Sequence, residues 1–166
     1  MITFDLGTSG QRLTFSDAVL VHLEKWRQLR FWQAEAGGLL FARLSADEVL
    51  VELATGPRRT DRRSRWSYHP DRTAEQREID ELHPQGLYFV GTWHSHPEPT
   101  PRPSGVDLHS LAESFRLSTH YLNAFVLAII GQRTAPDGLA VMVGDGATVI
   151  SLRPTDAARV AEIDHV

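Results

Sequence analysis

The sequence predicts an α+β fold, an α/β sandwich in which one mixed β-sheet is flanked by helices, built as a single domain over residues 1–166. Three observations predict it. The hydrophobic patterning changes period along the chain and gives the order helix, two strands, helix, strand, helix, strands. No internal repeat and no second composition regime marks a domain boundary. The 166 residues, 42% hydrophobic and 23% charged, are enough for one core without disulfide staples.

Each element follows from local chemistry. Residues 16–30 read as a first helix: Ser16 is an N-cap, Asp17 suits the positive helix end, Val19, Leu23 and Trp26 share a face, and Arg27 and Arg30 suit the C-terminal end. Residues 36–41, with a Gly-Gly pair before an apolar run, and 48–53, with partial alternation, form an antiparallel hairpin around the polar Ser45-Ala46-Asp47. Gly56-Pro57 ends the second strand, and residues 58–65, with five arginines, read as an exposed loop. Residues 66–69 form a short strand stopped by Pro70, and 73–82 form a helix capped by Thr73. Residues 87–96 read as a central buried strand closed by Pro97. Prolines 99, 101 and 103 stiffen an extended connector, and a helix runs from Ser104 to about Leu117. Strands follow at 124–130, 140–143 and 148–152, and a short helix is expected after Pro154.

The composition narrows the chemistry. With no cysteine, disulfides, thiolate-ligated zinc and cysteine nucleophiles are excluded, so a metal must use histidines and carboxylates. A net charge of -4 gives no general attraction to nucleic acid or to an anionic membrane surface, and neither partner is expected. The start of the chain lacks a basic, apolar signal region and the longest apolar stretch is too short to span a bilayer, so a soluble, cytoplasmic protein is expected. Only one of the 17 basic residues is lysine, which matches a GC-rich genome.

The informative stretch is residues 91–107, GTWHSHPEPTPRPSGVD. On a strand, residues two apart share a face, so His94 and His96 present two imidazoles to one ion while Ser95 points away. Asp107, in the first turn of the next helix, is the natural third ligand of a catalytic zinc, which takes three protein ligands and keeps a fourth position open. Taken alone, a His-x-His pair is incidental and Ser104 with Asp107 is a capping pair. Together, at average residue frequencies, these four residues at these offsets arise by chance in on the order of one chain in several thousand. The combination therefore points to one zinc ion per chain.

These residues resemble the signature of the JAMM (MPN-plus, or JAB) metallopeptidases: His-x-His-Pro, six residues, then Ser-x-x-Asp. His94, His96, Pro97, Ser104 and Asp107 satisfy it without a gap. The family also carries an upstream glutamate in a Glu-x-x-Gly-x-Leu setting, matched by Glu35, Gly38 and Leu40. The run from Gly91 to Glu98 is especially similar to short prokaryotic JAB proteins, some of which sit beside ubiquitin-type activating and conjugating enzymes in antiphage systems such as CBASS. The resemblance spans the elements from Leu13 to Leu152. It implies an MPN-type, cytidine-deaminase-like domain and a zinc isopeptidase or peptidase that cleaves after the C-terminal glycine of a ubiquitin-like modifier, from a conjugate or a precursor. It also implies roles: Glu35 as general base for the water held by zinc, Ser104 as hydrogen-bond donor to the developing oxyanion.

Alternatives remain at this level. Glu35 is by position an ordinary surface carboxylate, although Gly37 and Gly38 beside it permit a close approach of backbone or substrate. The arginines at 58, 59, 62, 63 and 65 form a solvated loop or, with Arg62 and Arg63 foremost, a docking site for acidic patches of a ubiquitin-like partner. Glu98 is either exposed or a group beside the metal or substrate. His22, His69, His83, His109, His120 and His165 read as surface or capping residues, and Trp93 as core. A catalytically silent MPN scaffold would lack a motif residue, and none is missing. Processing of a sulfur-carrier precursor is not separable from conjugate cleavage. Metallo-β-lactamases need an aspartate where Glu98 stands, and an amidohydrolase barrel needs roughly 250 residues.

Overall fold

The computed structural model describes residues 1–155. They form β1 (Ile2–Asp5), β2 (Arg12–Phe15), α1 (Asp17–Lys25), β3 (Gly37–Leu44), β4 (Glu48–Ala54), β5 (Arg62–Ser64), β6 (Ser67–His69), α2 (Arg72–Leu82), β7 (Tyr88–Ser95), α3 (Gly105–Leu117), β8 (Phe125–Ile130), β9 (Leu139–Gly144) and β10 (Val149–Leu152). Eight strands make one mixed sheet in the order β1-β2-β4-β3-β7-β8-β9-β10, with β5 and β6 as a separate hairpin. The sheet is antiparallel except where β2 pairs with β4 and β7 with β8. The helix expected after Pro154 lies outside the described residues.

The core explains why β8 is apolar throughout. Every residue of β8 is buried. Its Val126, Ala128 and Ile130 pack with Val19 and Leu23 of α1, and its Phe125, Leu127 and Ile129 pack with Leu111 of α3. A strand covered on both faces has no solvent side to make polar. Trp93, on β7, is buried as expected and joins the α1 side of this core.

Several expectations need correction. The first fifteen residues contribute two strands where none was expected; β1 and β2 are four residues each and too short to show a period. Helix α1 ends at Lys25, not near Arg30, with Trp26 already off helical geometry at φ -99, ψ 13. Helix α2 is capped by Asp71, whose carboxylate accepts from the Thr73 and Ala74 N–H groups, not by Thr73. The arginine stretch is not simply an exposed loop. Arg62–Ser64 pair with Ser67–His69, and Arg58 turns inward, its guanidinium paired with Glu78. His22 and His120 are half-buried: His22 bonds the Gly56 carbonyl at 2.9 Å and meets Trp93 edge-on, while His120 caps the end of α3 by bonding the Phe115 carbonyl at 2.9 Å and lies tilted against the Phe115 and Phe125 rings.

The topology places the site. The parallel pair β7 and β8 is joined across α3, so the N-terminal end of α3 returns beside the C-terminal end of β7, where ligands gather in such crossovers. Strand β3 pairs with β7 on the other side, with Gly37 opposite His94. The residues just before β3 therefore reach the same end.

Candidate metal centre

Strand β7 alternates as a pleat requires. Trp93 and Ser95 face α1, whereas His94 and His96 face the other side, toward α3. The two imidazole Nε2 atoms lie 3.1 Å apart. Asp107, at N3 of α3, places Oδ1 3.2 Å from the His94 Nε2 and Oδ2 3.4 Å from the His96 Nε2. Ser104 caps that helix: its Oγ accepts the Asp107 N–H at 3.1 Å, and its own N–H donates to Asp107 Oδ2 at 2.7 Å. The capping pair and the metal reading of Ser104 and Asp107 thus coexist in one geometry.

Glu35 comes from the loop before β3. Its residue is 8% exposed, and one carboxylate oxygen groups with His94 and His96 so that all three donor atoms lie within 4.8 Å of one another. Burial pushes its pKa up, with the neighbouring imidazoles pulling the other way. Asp107 behaves oppositely. Burial acts to raise it, but hydrogen bonds from His94, His96 and the Ser104 N–H prevail and hold it well below the usual carboxylate range. Two carboxylates in one site are therefore set apart, one holding its proton more readily than the other, which is the usual division between a base and a permanent anion.

The chemistry of the donor set fits a zinc ion. A tetrahedral site with ligands at about 2.0–2.1 Å has ligand-to-ligand edges of about 3.3 Å. The His94 and His96 Nε2 atoms, 3.1 Å apart, are spaced as one such edge, and the Asp107 carboxylate faces both, with Oδ1 3.2 Å from His94 and Oδ2 3.4 Å from His96. Outside this set, His96 Nδ1–H donates to Glu98 Oε1 at 3.0 Å, so the neutral ring carries its lone pair on Nε2, the atom that would meet an ion in place of the Asp107 hydrogen bond. Glu98 also accepts the Arg102 N–H at 2.9 Å, so it is both half-exposed and engaged.

Residues that the sequence did not single out hold Glu35 in place. Gln28 is fully buried just past α1. Its Nε2 donates to the Gln33 and Arg65 carbonyls, and its Oε1 accepts from Ser95 Oγ at 2.9 Å. Ser95 Oγ in turn accepts the Ala36 N–H at 2.9 Å, the Ser95 N–H bonds the Ala36 carbonyl, and the Glu35 N–H donates to Ser64. Nothing in the sequence distinguishes Gln28 from a surface glutamine. Gly37 is a glycine because a Cβ there would stand 2.6 Å from the Tyr68 ring, and Gly38 because one would stand 1.8 Å from the Thr55 carbonyl oxygen. The close approach is to the protein's own β6 and β4 chain.

The site opens into a cleft of about 570 Å³ lined by Glu35, Trp66, Tyr68, His94, His96 and Asp107, with Ser104 also at its wall. The β5–β6 hairpin forms one side and α3 the other. Arg62 is exposed on β5; Arg63 on the same strand lies over the Trp26 ring and donates to the Glu35 carbonyl at 3.4 Å. The hairpin is anchored by the inward cluster of Arg58, Asp61, Glu75 and Glu78, and by the Tyr68 hydroxyl, which donates to Asp61 at 2.9 Å. Burial and that carboxylate push the Tyr68 pKa upward, so the phenol stays protonated and keeps donating.

The fold and this site define the class: an MPN-type α+β domain with a His/His/Asp/Glu centre. The chain belongs to the prokaryotic homologs of the JAB domain, whose family model matches residues 17–144. A protein of Pseudomonas aeruginosa named CD-NTase/cGAS isopeptidase is 33% identical over 147 residues, covering 86% of this chain and 83% of that protein. A protein of Escherichia coli with the same name is 27% identical over 95 residues, 55% of this chain and 61% of that protein, so this match leaves more than a third of the relative unaligned. Among solved structures, the solution structure of a protein from Desulfitobacterium hafniense aligns with a TM-score of 0.55 at 21% identity, over 84% of this chain and 88% of that one. It supports the fold. Among the described residues no helix is long and apolar enough to cross a membrane.

Proposed function

We propose that this chain is a zinc-dependent isopeptidase that hydrolyses the bond after the C-terminal glycine of a ubiquitin-like modifier, releasing it from a conjugate. The observation that carries the proposal is the convergence of the His94 and His96 Nε2 atoms and the Asp107 carboxylate within 3.4 Å, with the buried Glu35 carboxylate beside them. The name of the relatives, CD-NTase/cGAS isopeptidase, supports a conjugate that contains such an enzyme as the substrate, in a setting with ubiquitin-type activating and conjugating enzymes.

His94 Nε2, His96 Nε2 and Asp107 would hold the ion. When bound there, zinc supplies an acidified water and polarises the scissile carbonyl. Glu35 takes the proton of the attacking water onto a carboxylate oxygen and delivers it to the leaving amine. Its raised pKa suits both halves of that task. The Ser104 hydroxyl accepts from the Asp107 N–H and keeps its own hydrogen free to donate to the developing oxyanion. Glu98 orients His96 through Nδ1. Arg62 and Arg63, on the hairpin at the cleft's side, are proposed to meet acidic groups of the modifier.

A panel of isopeptide-linked and linear ubiquitin-like fusions, including a CD-NTase conjugate, tests this with and without chelator. Cleavage of an isopeptide-linked member, abolished by chelator and restored by zinc, is expected. Cleavage that is indifferent to chelator, or of none of the panel, contradicts it.

A further inference from the structure

The loop between α1 and β3 and the turn between β5 and β6 share an exposed surface beside the cleft. Phe31, Trp32 and Trp66 are 77%, 64% and 73% exposed, and Leu29 between them and the helix is 56% exposed. Each ring is held by a neighbour. The Phe31 and Trp32 rings meet edge-on with centroids 5.1 Å apart, the Arg30 guanidinium lies over Trp32 at 5.4 Å, and that of Arg65 over Trp66 at 5.1 Å. Arg65 Nη1 donates to the Arg30 carbonyl at 3.0 Å, which ties the two halves into one ridge.

Three large rings at these exposures present on the order of 500 Å² of aromatic surface, as much as the largest apolar patch of a typical monomer, and such patches are commonly functional. Tryptophan and arginine are among the residues that dominate binding energy at protein interfaces, and phenylalanine is enriched there. The ridge is cationic although the chain carries a net charge of -4. Residues 58–65 contain five arginines and a single carboxylate, Asp61, whose side chain is fully buried against Arg58 and so leaves the outer arginines uncompensated. Trp66 belongs to both the ridge and the cleft wall, so a body resting on the ridge has its chain end at the cleft mouth.

We propose that this ridge is the docking surface for the folded body of the conjugate, a protein domain that presents an apolar patch ringed by carboxylates, while its tail enters the cleft. The inference rests on the isopeptidase reading and names what makes the enzyme select a conjugated protein over a free peptide. Aromatic rings fill the partner's apolar patch, and Arg30 and Arg65, already held over those rings, meet its acidic rim at little cost in side-chain freedom.

The test compares wild type with Phe31→Ser/Trp32→Ser and with Arg30→Glu. Two probes are used: the isopeptide conjugate that wild type cleaves in the panel, and a short peptide carrying only the same isopeptide linkage. The expected result is a rise in KM of about tenfold or more for the conjugate in each variant, unchanged turnover of the peptide, and a wild-type KM for the conjugate that climbs with salt. Conjugate KM values equal to wild type in both variants overturn the docking surface and leave the isopeptidase reading intact. Wild type cleaving no conjugate overturns both. Sedimentation of wild type as a dimer and of Phe31→Ser/Trp32→Ser as a monomer assigns the ridge to a second copy of this chain and overturns the proposal.

Discussion

Replacing Gln28 with leucine isolates the network that fixes Glu35. The substitution keeps a fully buried side chain of similar size and removes one acceptor and two donor interactions, to Ser95 Oγ, the Gln33 carbonyl and the Arg65 carbonyl. A buried hydroxyl left without its acceptor costs about 1–3 kcal/mol, and each lost amide-to-carbonyl bond about 1 kcal/mol. Burial of the added apolar surface returns about 1 kcal/mol. The net loss is therefore about 3 kcal/mol, or roughly 6–12 °C in Tm for a chain of this size. Urea unfolding followed by tryptophan fluorescence reads it directly. In a cycle with Ser95→Ala, the double variant should lose less than the sum of the two single variants by about 1–2 kcal/mol, because the orphaned hydroxyl is gone. A Gln28→Leu stability within about 0.5 kcal/mol of wild type, or strictly additive losses, refutes the network.

Three further outcomes are expected. His22 has its pKa lowered by burial, so it resists protonation in the folded chain; the associated stability is fully present above about pH 6.5 and is lost as pH falls toward the folded value. Between about pH 7.5 and 5.5 the Tm of wild type should drop further than that of His22→Gln, and equal drops contradict this. Arg58→Met leaves Asp61, Glu75 and Glu78 facing one another without their cation and should lower stability by about 3–5 kcal/mol in urea unfolding. Zinc at about 100 times its Kd should raise the wild-type stability by about 2.7 kcal/mol, and His94→Ala should abolish the effect in the same thermal scan.

The sheet and the site were legible to different degrees, for physical reasons. β8 was plain because a strand buried on both faces must be apolar throughout, and β7 because it opens on an apolar and aromatic run and is closed by Pro97. β1 and β2 were not, since four residues with threonines facing each other carry no period, and their burial comes from tertiary partners such as Phe4 on Phe15. Trp26 misled the reading of α1: it continues the apolar face of the helix and packs partly against the core, yet the chain leaves helical geometry there. His94, His96 and Asp107 were visible because a strand's period of two and a helix's first turn fix where the side chains go. Glu35 was visible by resemblance, chain order and the glycines beside it, while its approach to the histidines depends on β3 pairing with β7. Arg58 and Arg62 look alike in sequence; the first is buried because Glu75 and Glu78 arrive from α2, a contact that local pattern does not encode. Gln28 is hidden for the same reason, with partners at residues 33, 65 and 95.

The most direct test of the central claim is single-turnover cleavage of an isopeptide conjugate by Glu35→Gln, with zinc quantified in the same sample. The account predicts one zinc per chain, as in wild type, and a rate lower by about 10²–10⁴-fold. A near wild-type rate with zinc in place would contradict the proton-transfer role of Glu35, and loss of the zinc would contradict the assignment of the ion to His94, His96 and Asp107.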